Sequence, residues 1–263
     1  MKSKQSGATG DKILGPTGKE SVFDSVLDDP SLTDSEKTLL RLEQEGALLV
    51  LAGAESPAQT LLIIFYHMVA NPIIFNKLRT ELSTVRNADS WAELEKLPYL
   101  SAVIEEGNRL SFGVTARTAR IASDPITYTP SSHVKSPTTG SQTYTIPPGT
   151  PISISTLSAH TAESVFPDPF TFDTERWLGE EGRQRRKFNM AFSKGGRKCI
   201  GIELARAELY LVVAALVQRF DMTLWRTDAS DVAFQYDYQV ATPKLDSEGV
   251  QVKVTRAGPG MER

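Results

Sequence analysis

The spacing of apolar residues predicts a long helix in the first third of the chain. Capping residues begin near Thr33, and apolar side chains then recur at helical spacing to about Ala70. A helix of roughly 35 residues is far longer than the usual three turns. We expect such a helix to cross the centre of a sizeable body.

Proline marks the helices that follow. The Asn71-Pro72 pair is expected to end the first helix and to start a second, and Pro98 is expected to open a third. A last long helix is predicted near the C-terminus from an apolar run that follows a glycine-rich loop. The predicted ranges are 72–85, 98–110 and 202–218.

Short runs of β-branched residues, separated by Pro, Gly and Ser, predict a small antiparallel sheet and closing β-hairpins. A proline- and aromatic-rich stretch over residues 167–177 is expected to be irregular. The fold class that this pattern predicts is mainly α with a minor antiparallel β part. The predicted strands are 116–121, 126–129, 144–146, 151–155, 220–225, 234–240 and 250–254.

Composition is that of a soluble chain, with 40% hydrophobic residues, 23% charged residues and a net charge of −3. One cysteine excludes a disulfide framework. Residues 1–20 are polar and are expected to be disordered, which leaves 21–263 as one folded part. Residues 46–70 have the length of a membrane span, but Glu55, Pro57 and Gln59 interrupt them. We therefore expect a buried core helix and no transmembrane helix.

The only cysteine lies in a glycine-rich loop, FSKGGRKCIG at residues 192–201, directly before the last long helix. A thiolate at that position gains from the positive end of the helix dipole, which suits a metal ligand. Gly195 and Gly196 allow a positive φ and the close approach of a flat ligand. Arg197 is placed to meet an anionic group.

This loop resembles F-x-x-G-x-R-x-C-x-G, the haem-binding loop of the cytochrome P450 family of haem-thiolate monooxygenases. All five fixed positions match, at Phe192, Gly195, Arg197, Cys199 and Gly201. A lone cysteine is more often a buried small hydrophobe, and the surrounding loop is what favours a ligand here. The resemblance implies a haem b whose iron is axially ligated by Cys199, with Arg197 on a propionate.

The middle of the long helix resembles the family's A-G-x-[D/E]-T-[T/S]. The resemblance implies that Ala52 and Gly53 lie at the oxygen-binding face of the haem. It also implies that Glu55 and Ser56 are an acid–alcohol pair that organises water and delivers protons for O–O cleavage. Ser56 stands where Thr is usual, and Pro57 removes a helical hydrogen bond to the Gly53 carbonyl. A core helix with an incidental polar break is the alternative interpretation.

Glu106 and Arg109 lie on one helix face at i,i+3 spacing. Alone, such a pair is usually exposed and contributes little. The family uses E-x-x-R buried and joined by a second arginine near P-E-R-F/W, which resembles FDTERW at residues 172–177. The resemblance implies that Glu106, Arg109 and Arg176 form a structural triad supporting the cysteine loop.

Other basic residues have two interpretations each. By the resemblance, Arg120 or, less well matched, Arg117 pairs with a haem propionate; both are otherwise solvated strand residues. The seven basic residues within 183–198 either dock an acidic flavoprotein electron donor or form a solvated loop. Nucleic-acid binding is poorly supported because the chain is acidic overall, with a net charge of −3. The histidines, at 67, 133 and 160, lack metal spacing, and a structural role is expected for His160.

The resemblance covers the chain from about residue 21 and corresponds to the C-terminal half of a fungal, microsomal-type member. We expect a truncated gene model rather than a genuine half-length product. The implied activity inserts one oxygen atom from O2 into a small apolar organic substrate, with electrons from NADPH through a flavoprotein reductase. The full-length protein is expected at the endoplasmic reticulum membrane. A non-catalytic fragment unable to bind haem stably is the alternative; a haem-thiolate isomerase or dehydratase is disfavoured by Glu55 and Ser56.

Overall fold

The computed structural model describes residues 21–85, 88–130 and 143–257. The stretch 1–20, for which disorder is expected, and His133 lie outside the described residues. The chain divides into two compact units, Met1–Glu55 and Ser56–Arg263.

The first unit contains a short helix that the apolar pattern did not predict. Helix α1 spans Val22–Asp28 and begins at a capping box, in which the Ser21 hydroxyl accepts from the Asp24 N–H and the Asp24 carboxylate accepts from the Ser21 N–H. The ring of Phe23 lies 3.1 Å from where a Cβ on Gly46 would stand. Glycine at 46 therefore allows α1 to pack closely.

Helix α2 spans Leu39–Ala70 and ends where the sequence predicts, but it begins later than Thr33. A 3-10 turn over Asp34–Lys37 comes first, and Thr38 with extended backbone separates it from α2. The helix continues through Pro57, which is buried. At the other end, the Asn71 side chain accepts from the Ile73 N–H and caps the next helix.

Burial along α2 changes at its middle. Leu48, Val50 and Leu51 are exposed, whereas Ile64 and Met68 are fully buried. The prediction of a buried core helix over residues 46–70 is therefore wrong for its first half, because among the described residues the core receives α2 side chains only from the second half of the helix. By length and composition α2 is also apolar enough to cross a membrane, a test that core helices of soluble proteins pass too. This conflicts mildly with the expectation of no transmembrane helix.

The core of the second unit forms between the C-terminal half of α2 and three further helices, α3 (Pro72–Leu82), α5 (Pro98–Leu110) and α8 (Ile202–Arg219). Gly107 on α5 shows how closely α2 and α5 pack, since a Cβ there would lie 2.2 Å from Ile64 Cγ1. Helices α3 to α8 span Pro72–Leu82, Trp91–Leu94, Pro98–Leu110, Thr156–His160, Gly179–Arg185 and Ile202–Arg219. Fully buried core residues include Leu78, Leu82, Leu100, Val103, Val213 and Val217.

The strands form separate two-stranded antiparallel ladders among the described residues, and the first four strands make two such ladders where one small sheet was expected. Strand β1 (Arg120–Ile121) pairs with β4 (Pro151–Ile152), and β2 (Ile126–Tyr128) pairs with β3 (Tyr144–Ile146). Near the C-terminus, β5 (Phe220–Leu224) pairs with β8 (Val252–Arg256). Between them in sequence, β6 (Tyr236–Asp237) pairs with β7 (Ala241–Thr242). The predicted class, mainly α with a minor antiparallel β part, is confirmed.

Candidate functional site

The cysteine loop folds back on itself before α8 begins. Ser193 and Gly195 both have φ in the left-handed region, at 57° and 80°. The Lys198 N–H donates to the Gly195 carbonyl at 3.2 Å, and the Cys199 N–H donates to the Phe192 carbonyl at 2.9 Å. These bonds place the thiol beside the first turn of α8, with Gly201 as its N-cap.

The outer face of this loop is open. Cys199 is an exposed free thiol, and the Ile200 side chain next to it is 94% exposed. A Cβ added at Gly195 or Gly196 would meet nothing within 4 Å, and one at Gly201 would meet only the Cys199 Sγ at 3.9 Å. A flat ligand can therefore lie on this face without displacing protein atoms.

The donor set of the loop also fits haem. Among the described residues, no group of three or more His, Cys, Asp or Glu side chains could hold a bare metal ion. Cys199 offers a single sulfur ligand at the start of an 18-residue helix. A metal that brings its other ligands within a macrocycle needs only one such donor from the protein.

The arginines expected at the propionates are exposed. Arg117, Arg120 and Arg197 all lie at the surface. The Arg120 guanidinium donates through Nη1 to the neighbouring Ala119 carbonyl at 3.2 Å. None of the three makes an ion pair with a carboxylate in the ranges that the structure covers.

The expected acid–alcohol pair lies at the middle of α2. Ala52, Gly53, Glu55 and Ser56 are all exposed, and a Cβ on Gly53 would meet nothing within 4 Å. The Ser56 carbonyl accepts from the Thr60 hydroxyl at 3.2 Å, one turn later. Space for a small ligand therefore exists beside Gly53.

The structure brings Glu106, Arg109 and Arg176 together in the core. Arg109 donates to both carboxylate oxygens of Glu106, through Nε at 2.8 Å and Nη2 at 2.7 Å. The Arg176 Nε lies 3.2 Å from Glu106 Oε1. The Trp177 indole and the Asp173 N–H also donate to this carboxylate. Because all three triad side chains are buried, losing one partner would leave a charge stranded in the protein interior.

The remaining donors of the triad bind backbone carbonyls in residues 160–171. Arg109 Nη1 donates to the His160 and Pro169 carbonyls, and Arg176 Nη1 donates to the Pro167 carbonyl. Within the described part of the chain, the hydrogen bonds of the triad side chains do not reach residues 189–201. The triad therefore fixes the irregular segment ahead of the cysteine loop.

Two long-range contacts hold residues 189 and 190 just ahead of the loop, and one of them comes from His160, for which a structural role is expected. His160 Nε2 accepts from the Met190 N–H at 2.7 Å. Asn189 Nδ2 donates to Glu105 Oε2 at 2.9 Å. Burial, followed by the charge of Arg109, lowers the pKa of His160 to about 4, so the ring is neutral near pH 7. No local pattern signals either contact, because each joins residues distant in sequence.

Comparison with known proteins gives matches along nearly the whole chain. The sequence model of the family Cytochrome P450 matches residues 18–245. Conidiogenone synthase PchP450 of Penicillium rubens is 38% identical over 241 residues, which are 91% of this chain and 46% of that protein. Cytochrome P450 monooxygenase TRI4 of Trichoderma arundinaceum is 37% identical over 233 residues, 86% of this chain and 43% of that protein. The chain spans less than half the length of these curated relatives.

Proposed function

This chain belongs to the cytochrome P450 family, and on that premise we propose that it forms the cysteine side of a haem-thiolate monooxygenase, with Cys199 as the axial ligand of haem b. The observation that carries the proposal is the exposed thiol at the start of α8, in a loop whose glycines leave an open face. When bound, the haem supplies the iron at which O2 is activated for insertion of one oxygen atom into a small apolar organic substrate.

Arg197 and Arg120 bind the haem propionates in this proposal, with Arg117 as the alternative to Arg120. All three guanidinium groups are exposed, so each is available to a carboxylate. Arginine suits this role because its planar fork donates two parallel hydrogen bonds to one carboxylate.

Glu55 and Ser56 handle protons at the oxygen side. The serine hydroxyl can both donate and accept a hydrogen bond, and the carboxylate can hold a water molecule in line with it. Gly53, one turn earlier on the same helix, leaves space for a diatomic ligand.

Electrons come from NADPH through a flavoprotein reductase, the redox partner that the family generally uses. Of the basic residues between 183 and 198, Arg183, Arg185 and Arg186 already pair with Glu180, Glu181 and Glu105. The positive charge available to an acidic partner therefore comes mainly from the exposed loop residues Lys194, Arg197 and Lys198. A role in fungal secondary metabolism and a location of the full-length form at the endoplasmic reticulum membrane are part of this proposal, supported by the similarity to cytochrome P450 proteins of Penicillium and Trichoderma.

A second candidate is a non-catalytic chain that does not hold haem stably. The exposed apolar face of α2 at Leu48, Val50 and Leu51 favours it, because uncovered apolar surface promotes association instead of an ordered pocket.

A carbon monoxide spectrum distinguishes the two candidates. The chain is titrated with haem to saturation, reduced, and exposed to carbon monoxide, with Cys199→Ser as the matched control. Thiolate ligation predicts a strongly red-shifted Soret band in the native chain and its loss in the variant. An unshifted band, or the same spectrum from both chains, would contradict ligation by Cys199 and favour the second candidate.

A further inference from the structure

The segment just ahead of the cysteine loop, residues 189–191, is held by side chains and backbone from helix α5 and the turn that follows it. Asn189 Nδ2 donates to the carboxylate of Glu105, and the Asn189 Oδ1 accepts from the Ala191 N–H at 3.1 Å. Gly113 lies so close that a Cβ there would be 2.6 Å from the Ala191 carbonyl oxygen. The residues that lead into the loop are thus fixed before the chain reaches its exposed part.

His160 provides the bond to the middle residue of this segment. Its Nδ1 lies 2.8 Å from the Arg109 carbonyl oxygen, and its Nε2 lies 2.7 Å from the Met190 backbone nitrogen. A carbonyl can only accept and an N–H can only donate, so Nδ1 carries the proton and Nε2 does not. The contacts therefore define one neutral tautomer.

We propose that His160 is the positioning residue that couples the triad helix α5 to the cysteine loop, through a single neutral tautomer bridging the Arg109 carbonyl and the Met190 N–H. The inference deepens the proposed function and rests on it, because the position of the cysteine loop affects haem ligation only if Cys199 is the ligand. The side chains of Glu106, Arg109 and Arg176 bind residues ahead of this segment. The His160 imidazole is the group that links this network to the Met190 backbone.

Packing and charge keep the ring in that form. His160 is fully buried and lies against the ring of Phe112, with centroids 6.1 Å apart. The charged groups that act on it are Arg109 on α5 and Lys194 in the loop, and both are positive. Protonation would place a second N–H on Nε2, directly facing the N–H of Met190. That hydrogen bond would then be replaced by a contact between two donors.

The tautomer can be measured without haem. Histidine labelled with 15N is incorporated into the whole chain, and the ring nitrogen shifts are followed between about pH 5 and 8, the range of ordinary histidine titration. We expect His160 to show the Nδ1–H tautomer and no titration in this range. An Nε2–H tautomer, or titration with an ordinary pKa, would overturn the proposal.

Two variants test the coupling. His160→Gln keeps one donor and one acceptor at similar spacing, whereas His160→Leu removes both and keeps an apolar side chain. Hydrogen exchange of the Met190 amide is expected to rise about tenfold or more in the Leu variant and much less in the Gln variant. His67→Leu is the control, because His67 is also largely buried and neutral but stacks on Phe172. Equal exchange in all variants would contradict the proposal.

Haem-loaded protein separates this inference from the proposed function. If Cys199 is the ligand, His160→Leu should lower the red-shifted fraction of the carbon monoxide complex, and His160→Gln should restore most of it. If the native chain shows no red-shifted band, the proposed function fails while the tautomer and exchange results still decide the role of His160. A red-shifted fraction that is equal in native chain and Leu variant would contradict the positioning role.

Discussion

Arg109 and His160 hold each other through a reciprocal pair of hydrogen bonds. The Arg109 guanidinium donates to the His160 carbonyl at 2.9 Å, and the His160 imidazole donates to the Arg109 carbonyl at 2.8 Å. The two residues are on α5 and α6, 51 positions apart in sequence. Because the Arg109 guanidinium also binds Glu106, the buried ion pair and the imidazole form one connected network.

The buried ion pair should be far more important for stability than an exposed pair of the same spacing. Glu106→Gln leaves two buried guanidinium groups without their carboxylate, and we expect a loss of about 3–5 kcal/mol in the free energy of unfolding. Glu93→Gln is the matched control, since Glu93 forms an exposed i,i+3 pair with Lys96 and its loss should cost less than about 1 kcal/mol. Urea unfolding of both variants checks this; similar losses would refute the assigned burial.

Stability should decrease as the pH falls from about 6.5 to about 4. Burial lowers the pKa of both His67 and His160 to about 4 in the folded chain, whereas an unfolded histidine titrates near 6.5. In that window the unfolded state binds more protons, so acid favours unfolding. The pKa of His160 is lowered from 6.5 to about 4, and this difference corresponds to about 3 kcal/mol of unfolding free energy once the pH is below both values.

Urea unfolding at a series of pH values measures this dependence. His160→Gln removes one of the two buried histidines whose pKa is lowered, so the free energy of unfolding should decrease less steeply as the pH falls from 6.5 to 4. A variant with an unchanged slope would show that His160 does not titrate as its burial implies.

Two glycines on helices should respond oppositely to alanine. Gly107→Ala places a Cβ 2.2 Å from Ile64 Cγ1 and should destabilise the chain by about 1–3 kcal/mol. Gly53→Ala meets nothing within 4 Å and should be neutral or stabilising by up to about 1 kcal/mol through helix propensity. Thermal unfolding compares the two, and adding Ile64→Ala to Gly107→Ala should relieve the clash. A harmless Gly107→Ala would mean that α2 and α5 are farther apart.

The choice between Arg120 and Arg117 can be made by haem titration. Replacing the propionate partner with Gln should weaken haem binding about tenfold, since a charge-assisted bidentate pair is lost, while the other replacement should have little effect. We expect the loss at Arg120. The reverse order would reassign the role to Arg117, and no effect from either would leave both as solvated surface residues.

Local signals in the sequence predicted most ends of the four longest helices, α2, α3, α5 and α8, whereas the short helices α4, α6 and α7 were not predicted. The Asn71 cap, the prolines at 72 and 98 and the glycine before α8 act within a few residues, so the structure follows them closely. The α1 capping box at Ser21 and Asp24 was an equally local signal that the apolar pattern obscured. By contrast, exposure along α2 depends on what covers it, which periodicity does not contain.

Long-range contacts were the part of the candidate site that the sequence could not provide. The E-x-x-R spacing located Glu106 and Arg109, and the aromatic motif located Arg176. The contact between Glu105 and Asn189 joins residues 84 positions apart, and that of His160 and Met190 spans 30. Such pairs depend on how distant segments pack against each other. The sequence around each of these four residues carries no distinctive pattern that signals the contact.

A chain with one exposed thiol has a stoichiometric limit on oxidation. Cys199 is the only cysteine, so two chains can join through one disulfide and no larger covalent species can form. A sulfur bonded to iron is withheld from that reaction. The ratio of covalent dimer to monomer on a non-reducing gel therefore reports how many loops are unliganded in a given preparation.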